Sequence, residues 1–275
     1  MKRREALLIA AQRLSAAGIE SARLEAGMLL SHILGIERHA LYLDPEEEVE
    51  DTVYGQLDRL IAKRITGEPI HYLIGEKEFM GLPLYVDHRV LIPRFDTEVL
   101  AETAINWLKT HPEKRRAADI GTGSGALAVS LAYRISDLRV TAVDCSQDAL
   151  MVAGRNAEKH GLADRITFCR GDLVSPLTEV DAIVSNPPYI RAKEIPDTGE
   201  PPLALDGGAD GLDYYRRLAR EAPAVLTKGG LIALEVGYDQ AVSVTGLLAS
   251  TEAFIDIDTH PDLSGIPRVV TAIKK

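Results

Sequence analysis

The tetrapeptide Asn186-Pro187-Pro188-Tyr189 is the segment whose residue types imply chemistry most directly. Two consecutive prolines fix the backbone and remove two amide donors. What remains is acceptors: the Asn186 side-chain oxygen and the carbonyls of Ser185, Asn186 and Pro187. Acceptors in this arrangement suit a planar NH₂ group, which offers two donors, and Tyr189 supplies a flat face to stack against one. The apolar run 180–185 directly before it reads as a buried strand, so the acceptors stand at a strand's carboxyl end.

A second segment, Asp119-Ile120-Gly121-Thr122-Gly123-Ser124-Gly125, follows another strand pattern and opens a helical one. Glycines there let the backbone turn tightly and let a ligand approach with no Cβ in the way. Asp144 ends the next strand pattern, about 20 residues past the loop, where a carboxylate accepts from ribose hydroxyls. A dinucleotide calls for Gly-x-Gly-x-x-Gly, with its pyrophosphate on a helix N-terminus. This chain has Gly-x-Gly-x-Gly, and Asp119 precedes it with a negative charge that suits an ammonium better than a phosphate. The pattern therefore favours S-adenosylmethionine over a nicotinamide cofactor. Asp172, in Arg170-Gly171-Asp172-Leu173, ends a third strand over the same crevice and is placed to meet an adenine amino group; a turn or helix-capping role is its alternative. The expected cofactor-binding set is Asp119, Gly121, Thr122, Gly123, Ser124, Gly125, Asp144, Asp172 and Asn186.

These segments need a scaffold. From about Thr97 onward strand and helix patterns alternate, which predicts a mainly parallel sheet covered on both faces. Strands are expected at 117–120, 139–143, 166–170, 180–185 and 231–236, with helices at 126–133 and 149–160 between them. The closing pair, 254–258 and 268–273, has only a short loop between its members and implies an antiparallel strand at the sheet's end. The first ~70 residues read as helical on periodicity: Ala26, Leu30, Ile33 and Leu34 before Gly35, then Val53, Leu57, Leu60 and Ile61, with Asp51 as cap. Two short strands are expected around Gly81-Leu82-Pro83. The resulting division is a helical part (1–75), a connecting β-hairpin (76–92) and an α/β part (93–275).

Composition narrows the class. The chain has 275 residues and a formal net charge of -10, which argues against a protein that grips phosphate backbones through clustered Lys and Arg. No stretch approaches the ~20 apolar residues of a membrane helix. The basic start Lys2-Arg3-Arg4 reads as the first turn of a helix rather than a leader, because Gln12 and Arg13 interrupt the apolar run that follows. The run Glu46, Glu47, Glu48, Glu50 and Asp51 reads as a solvated helix start. The two cysteines, Cys145 and Cys169, have no metal-ligand spacing and read as reduced thiols of a cytoplasmic protein. The seven histidines are scattered and show no metal-site spacing.

The glycine loop, the acidic strand ends and Asn-Pro-Pro-Tyr together resemble the class I S-adenosylmethionine-dependent methyltransferases that modify NH₂ nitrogens on planar groups. Further segments resemble the HemK/PrmC family, the peptide chain release factor N5-glutamine methyltransferases. They are Pro69–Tyr72 through Gly75–Phe79, Leu91-Ile92-Pro93-Arg94-Phe95-Asp96-Thr97-Glu98, Ala204–Leu212, Glu235-Val236-Gly237 with Gln240, and Asp262–Arg268. The family usually carries proline where this chain has Phe95. The resemblance implies a Rossmann-like fold with a seven-stranded sheet and an N-terminal helical domain that recognises the release factor. It implies methyl transfer to the glutamine of the Gly-Gly-Gln loop in class 1 release factors. Asn186, Pro187 and Tyr189 would be catalytic, Pro188 would help hold the substrate, and no metal, membrane or nucleic acid is expected. A ribosomal-protein glutamine methyltransferase and an N6-adenine or N4-cytosine nucleic-acid methyltransferase are the neighbouring readings.

Overall fold

The computed structural model describes every residue from Met1 to Lys275, and its contacts divide the chain into two units. One unit is Met1–Glu76 with Asp197–Gly199; the other is Lys77–Pro196 with Glu200–Lys275.

The first unit is helical: α1 (Arg3–Ala16), α2 (Ala22–Leu34), α3 (Ala40–Leu43), α4 (Asp51–Ile65) and α5 (Ile70–Ile74). Apolar residues three and four apart put one face of each long helix into a common core, with Ala6, Ala10 and Leu14 meeting Ala26, Leu29, Leu30, Leu57 and Ile61. Each buried leucine or isoleucine contributes about 1.5–3 kcal/mol relative to exposure. Gly35 ends α2 in the left-handed conformation (φ 64°). Glu50, not Asp51, is the N-cap of α4; Asp51 lies in the first turn, where its charge still favours the helix dipole. The acidic run is also less free than it reads. Glu46 pairs with Lys2 and Arg4, and Glu47 with Arg3, so the run neutralises the basic start of α1.

The second unit begins at Lys77, within β1 (Glu76–Phe79), which forms a two-stranded sheet with β2 (Leu82–Tyr85). Its turn is Met80-Gly81, both at positive φ (53° and 79°), the demand of a two-residue hairpin turn. Glu98 steadies this turn by accepting from the Met80 amide at 2.8 Å. Leu82 and Pro83 therefore lie in the strand and not in the turn, which corrects the sequence expectation. Proline, locked near φ −65°, is tolerated on so short an edge strand.

There follow α6 (Asp96–Thr110), β3 (Arg116–Ile120), α7 (Ala126–Arg134), β4 (Arg139–Asp144), α8 (Gln147–Lys159), β5 (Ile166–Arg170), β6 (Val180–Ser185), α9 (Asp213–Glu221), β7 (Leu226–Glu235), α10 (Ala241–Ser250), β8 (Phe254–Pro261) and β9 (Pro267–Lys274). The strand order is β5-β4-β3-β6-β7-β9-β8, parallel from β5 to β7. The antiparallel strand is β9, which inserts between β7 and β8 and so lies one place in from the edge. Burial explains the order. Val269, Val270, Thr271 and Ala272 of β9 are all buried, whereas β8 buries only Phe254 and exposes Asp256 and Asp258, as an edge strand should.

Alternate residues of the central strands enter two cores. Leu231 and Ala233 of β7 join the core of α6, α7 and α8; Ile232 and Leu234 join the core of α9 and α10. The chain runs outward from β3 through β4 to β5, then returns to the other side of β3 as β6. The carboxyl ends of β3 and β6 thus bound a topological switch point, where open α/β sheets bind ligands. No helix is long and apolar enough to cross a membrane.

Candidate active site

The glycine loop leaves β3 and enters α7 over a buried carboxylate. Asp119 Oδ2 accepts from the Thr122 hydroxyl (2.7 Å) and from the Ala128 amide in the first turn of α7 (3.0 Å). Its Oδ1 has no hydrogen-bond partner. Burial pushes the carboxyl up to about 7, against the opposing pull of those two donors. Gly121 and Gly123, at φ 73° and 55°, line a cavity, and a Cβ on either would meet no atom closer than 4.0 Å. That open space is what a closely approaching ligand requires. Gly125 does something else: a Cβ there would lie 3.0 Å from Ala153 Cβ, so this glycine lets α7 and α8 approach.

The expected cofactor set therefore divides. Gly121, Gly123, Asp144, Asp172 and Asn186 line the cavity, while Asp119, Thr122, Ser124 and Gly125 do not. The last four support the loop from behind, because the loop turns its backbone and not its side chains toward the cavity. Asp144 closes the loop from β4: its Oδ2 accepts from the Gly123 amide and its Oδ1 from the Ser146 amide, both at 2.9 Å. A carboxylate oxygen has capacity for a second donor, so ribose hydroxyls still fit. Asp172 is held by both guanidinium nitrogens of Arg217 in α9, at 3.0 and 2.9 Å. The open glycine backbone, the acidic rim and the lack of any phosphate-sized cationic cradle in the loop fit S-adenosylmethionine.

Asn186, Pro187 and Pro188 line the same cavity from the end of β6. Ile120 and Ser185 are register partners, and the Ser185 hydroxyl donates to the Ile120 carbonyl (2.7 Å), which sets Asn186 beside Gly121. The Asn186 Nδ2 donates to the hydroxyl of Thr97 in the first turn of α6 (3.0 Å), leaving Oδ1 as the carboxamide's acceptor for the cavity. Tyr189 departs from expectation. Its ring packs on the α9 and α10 core and does not line the cavity, and its hydroxyl donates to Glu235 Oε1 (3.3 Å). Burial, and Glu235 beside it, raise the phenol well above its ordinary pKa. A half-buried ring with a bonded hydroxyl anchors the loop at this end.

The remaining motifs explain themselves as supports. Gln240 donates from Nε2 to the carbonyls of Tyr189 (3.0 Å) and Gly211 (3.2 Å). A Cβ on Gly207 would lie 2.7 Å from Tyr189 Cα, so this glycine lets its segment close on Asn-Pro-Pro-Tyr, whereas Gly208 makes room for the Asp213 carboxylate. Arg268 bonds Asp96 (3.1 Å) and Asp262 (3.0 Å), joining the 262–268 loop to the start of α6. Glu200 pairs with Arg94 and accepts from the Ile92 amide (3.0 Å). Periodicity and spacing missed Arg89, Val90, Leu91, Leu203, Tyr214 and Arg217, which also line the cavity. Tyr214 and Arg217 carry no sequence signal, since a lone polar residue on an amphipathic helix such as α9 is ordinarily solvent-facing.

Two family models match the chain: the PrmC N-terminal domain over residues 5–75 and the methyltransferase small domain over residues 96–243. A methyltransferase structure from Pyrococcus furiosus superposes with a TM-score of 0.53 at 19% identity, covering 78% of this chain and 96% of that one. The α/β unit thus has the fold of the class I S-adenosylmethionine-dependent methyltransferases. The release factor glutamine methyltransferase of Moorella thermoacetica is 43% identical over 100% of this chain and 99% of its own. That of Geobacter sulfurreducens is 42% identical over 92% of this chain and 90% of its own. The chain belongs to the release factor glutamine methyltransferase family.

Proposed function

We propose that this protein transfers a methyl group from S-adenosylmethionine to the side-chain amide nitrogen (N5) of the glutamine in the Gly-Gly-Gln loop of class 1 peptide chain release factors. The observation that carries this reading is the cavity itself, which brings Asn186 and Pro187 to the same crevice as Gly121, Gly123 and Asp144. S-adenosylmethionine supplies an electrophilic methyl on a sulfonium that is already an excellent leaving group. The difficulty lies with the nucleophile, because an amide nitrogen shares its lone pair with its carbonyl. Asn186 Oδ1 and the Pro187 carbonyl accept from the two N–H groups of the substrate amide, returning electron density to nitrogen as it becomes pyramidal. Pro188 limits the amide's rotation, and Tyr189 holds the loop from beneath. As the new N–C bond forms, the nitrogen carries the positive charge and releases one proton to water. Positioning and oriented acceptors supply most of the rate.

Gly121, Gly123, Asp144 and Asp172 hold the methyl donor, with Asp119, Thr122, Ser124 and Gly125 shaping its loop. The helical part, residues 1–75, recognises the release factor, 76–92 connects, and 93–275 carries out the transfer. The protein works in the cytoplasm, where release factors act, without binding nucleic acid directly. Incubation with methyl-labelled S-adenosylmethionine and a class 1 release factor tests the reading. Label is expected on the native release factor and not on one whose loop glutamine is replaced by alanine. Label on a ribosomal protein or a nucleic acid instead would overturn it.

A further inference from the structure

The strand ends and the turns that follow them supply only part of the cavity lining. Two loop segments supply much of the rest: Arg89, Val90 and Leu91 before α6, and Pro201, Leu203 and Ala204 between β6 and α9. Loops are the more mobile parts of a fold, so loops that bound a ligand cavity must be held. Each of these two is pinned at one end to a different place. The Tyr85 backbone, at the start of the first segment, exchanges hydrogen bonds with the Asn156 carboxamide of α8 (2.7 and 2.9 Å). At the end of the second segment the Leu205 carbonyl accepts from the Ile190 amide (2.9 Å), and the Ile190 carbonyl accepts from the Gly207 amide (2.8 Å). That ties the second segment to the residue directly after Asn-Pro-Pro-Tyr, and Pro201 and Pro202 stiffen the stretch before it.

The other ends of the two segments meet at Glu200. Its Oε1 accepts from the Ile92 amide at 3.0 Å, and its Oε2 pairs with Arg94. The Glu200 side chain is 3% exposed. A carboxylate so buried is costly unless its oxygens are answered, and here both partners belong to the first segment while the carboxylate belongs to the second. We propose that Glu200 is a positioning residue for the methyl donor: it clasps the 89–91 segment to the 201–204 segment, and so sets how firmly the cavity holds S-adenosylmethionine and how fast the spent donor leaves. The proposal rests on the reading of this cavity as the S-adenosylmethionine site. Without the clasp each segment stays pinned at its other end, so the cavity margin loosens while the glycine loop and Asn186 keep their places. Retention of the donor then falls, whereas transfer from a saturated site persists. Leu203 offers a second handle on the same claim. It lines the cavity yet is 55% exposed, so it adds little to the core and is covered further when the donor is bound.

The test uses the full chain. Release of radiolabelled S-adenosylmethionine is followed by rapid filtration, affinity by calorimetry, and kcat on a release factor at saturating donor. Glu200→Ala strands the buried Ile92 amide and should speed release about 10-fold, toward the lower end for an unsatisfied buried donor. Its kcat at saturation should stay within a few-fold of wild type, so the defect appears in KM for the donor. Glu200→Gln keeps an oxygen for the Ile92 amide and should restore release to within a few-fold. Glu200→Asp, a milder change that shortens the reach, should speed release about 3-fold through weakened hydrogen bonds, and it decides the matter if Glu200→Ala does not fold. Leu203→Ala should weaken donor affinity about 5-fold through lost apolar cover, with the urea midpoint unchanged. Unchanged release from the alanine and aspartate variants, a glutamine variant no better than alanine, or unchanged affinity in Leu203→Ala would each overturn the proposal. A kcat at saturation that falls as far as affinity would overturn it too, as the mark of a general loss of structure. A wild-type protein that binds no S-adenosylmethionine overturns the reading of the cavity and this inference with it; wild-type binding with unaffected variants overturns only the inference.

Discussion

Two buried carboxylates lie beneath the two halves of the site, and they are alike in physics and unlike in origin. Asp119 supports the glycine loop and Glu235 supports Asn-Pro-Pro-Tyr. Each is 1% exposed, each has one oxygen without a partner, and burial pushes each up to about 7. Yet the partners of Asp119 lie three and nine residues away in sequence, whereas Tyr189 lies 46 residues from Glu235. The Asn186–Thr97 bond spans 89 residues. The cofactor half is a local structure that closes on itself. The substrate half exists only when β6, β7 and the start of α6 have come together.

That difference sets what could be read before folding. The glycine loop and Asp144 announced a cofactor because a strand–loop–helix and the next strand end are short-range features with a known geometry. The alternation of strands and helices likewise predicted the sheet. Asn186-Pro187-Pro188 was legible as a set of acceptors, since two prolines leave little else. What was not legible was direction. Nothing local says that Tyr189 turns inward to Glu235, that Gly125 serves helix packing, or that Thr97 faces Asn186. The Met80-Gly81 turn was missed for a related reason: the positive φ at Met80 is sustained by Glu98, eighteen residues on. The inversion of β8 and β9 rested on a contrast of burial that only the assembled sheet defines.

The largest effect should come from the substrate half. Asn186→Ala removes an acceptor aimed at the reacting nitrogen, and we expect kcat to fall about 100- to 1,000-fold, the range for one lost oriented group. Affinity for S-adenosylmethionine, measured by calorimetry, should change little. Near-normal turnover would erase the distinction between the halves. Asp144→Ala probes the other side. It removes the closure of the loop through Gly123 as well as the ribose acceptors, so a loss of about 10- to 100-fold in cofactor affinity is expected from one to three kcal/mol. Unchanged affinity would mean that the glycine loop alone defines that half.

Glycine substitutions separate ligand space from packing space. Gly207→Ala drives a Cβ toward Tyr189 Cα at 2.7 Å, and should destabilise the protein by about 1–3 kcal/mol, read as a lower midpoint in urea. Gly123→Ala meets open space, so its steric contribution to stability is small and its backbone strain at φ 55° costs about 1–2 kcal/mol. Its larger effect should be on cofactor affinity, because the new methyl enters the cavity. Equal losses of stability and equal losses of affinity in the two variants would contradict the division between support and site.

The smallest effect isolates what the two carboxylates share. A carboxyl whose folded pKa is raised favours the folded state most while both states are protonated. That contribution is lost as pH rises from the unfolded value near 4 to the folded value of about 7, where the buried group must ionise. For Asp119 the nearby Asp144 adds to the shift; for Glu235, Asp96 adds to it while the hydroxyls of Thr97 and Tyr189 and the charge of Arg268 oppose it. Asp119→Asn and Glu235→Gln keep shape and remove the ionisation. Relative to wild type, both variants should therefore gain thermal stability between pH 5 and pH 8, by several degrees at roughly 2–4 °C per kcal/mol. The functional consequences should differ although the titrations agree: Asp119→Asn should weaken cofactor binding with kcat preserved, and Glu235→Gln should lower kcat several-fold with cofactor binding preserved. Variants with matching pH slopes and matching kinetic defects would show the two carboxylates to be one electrostatic support under a single site, not two supports with separate duties.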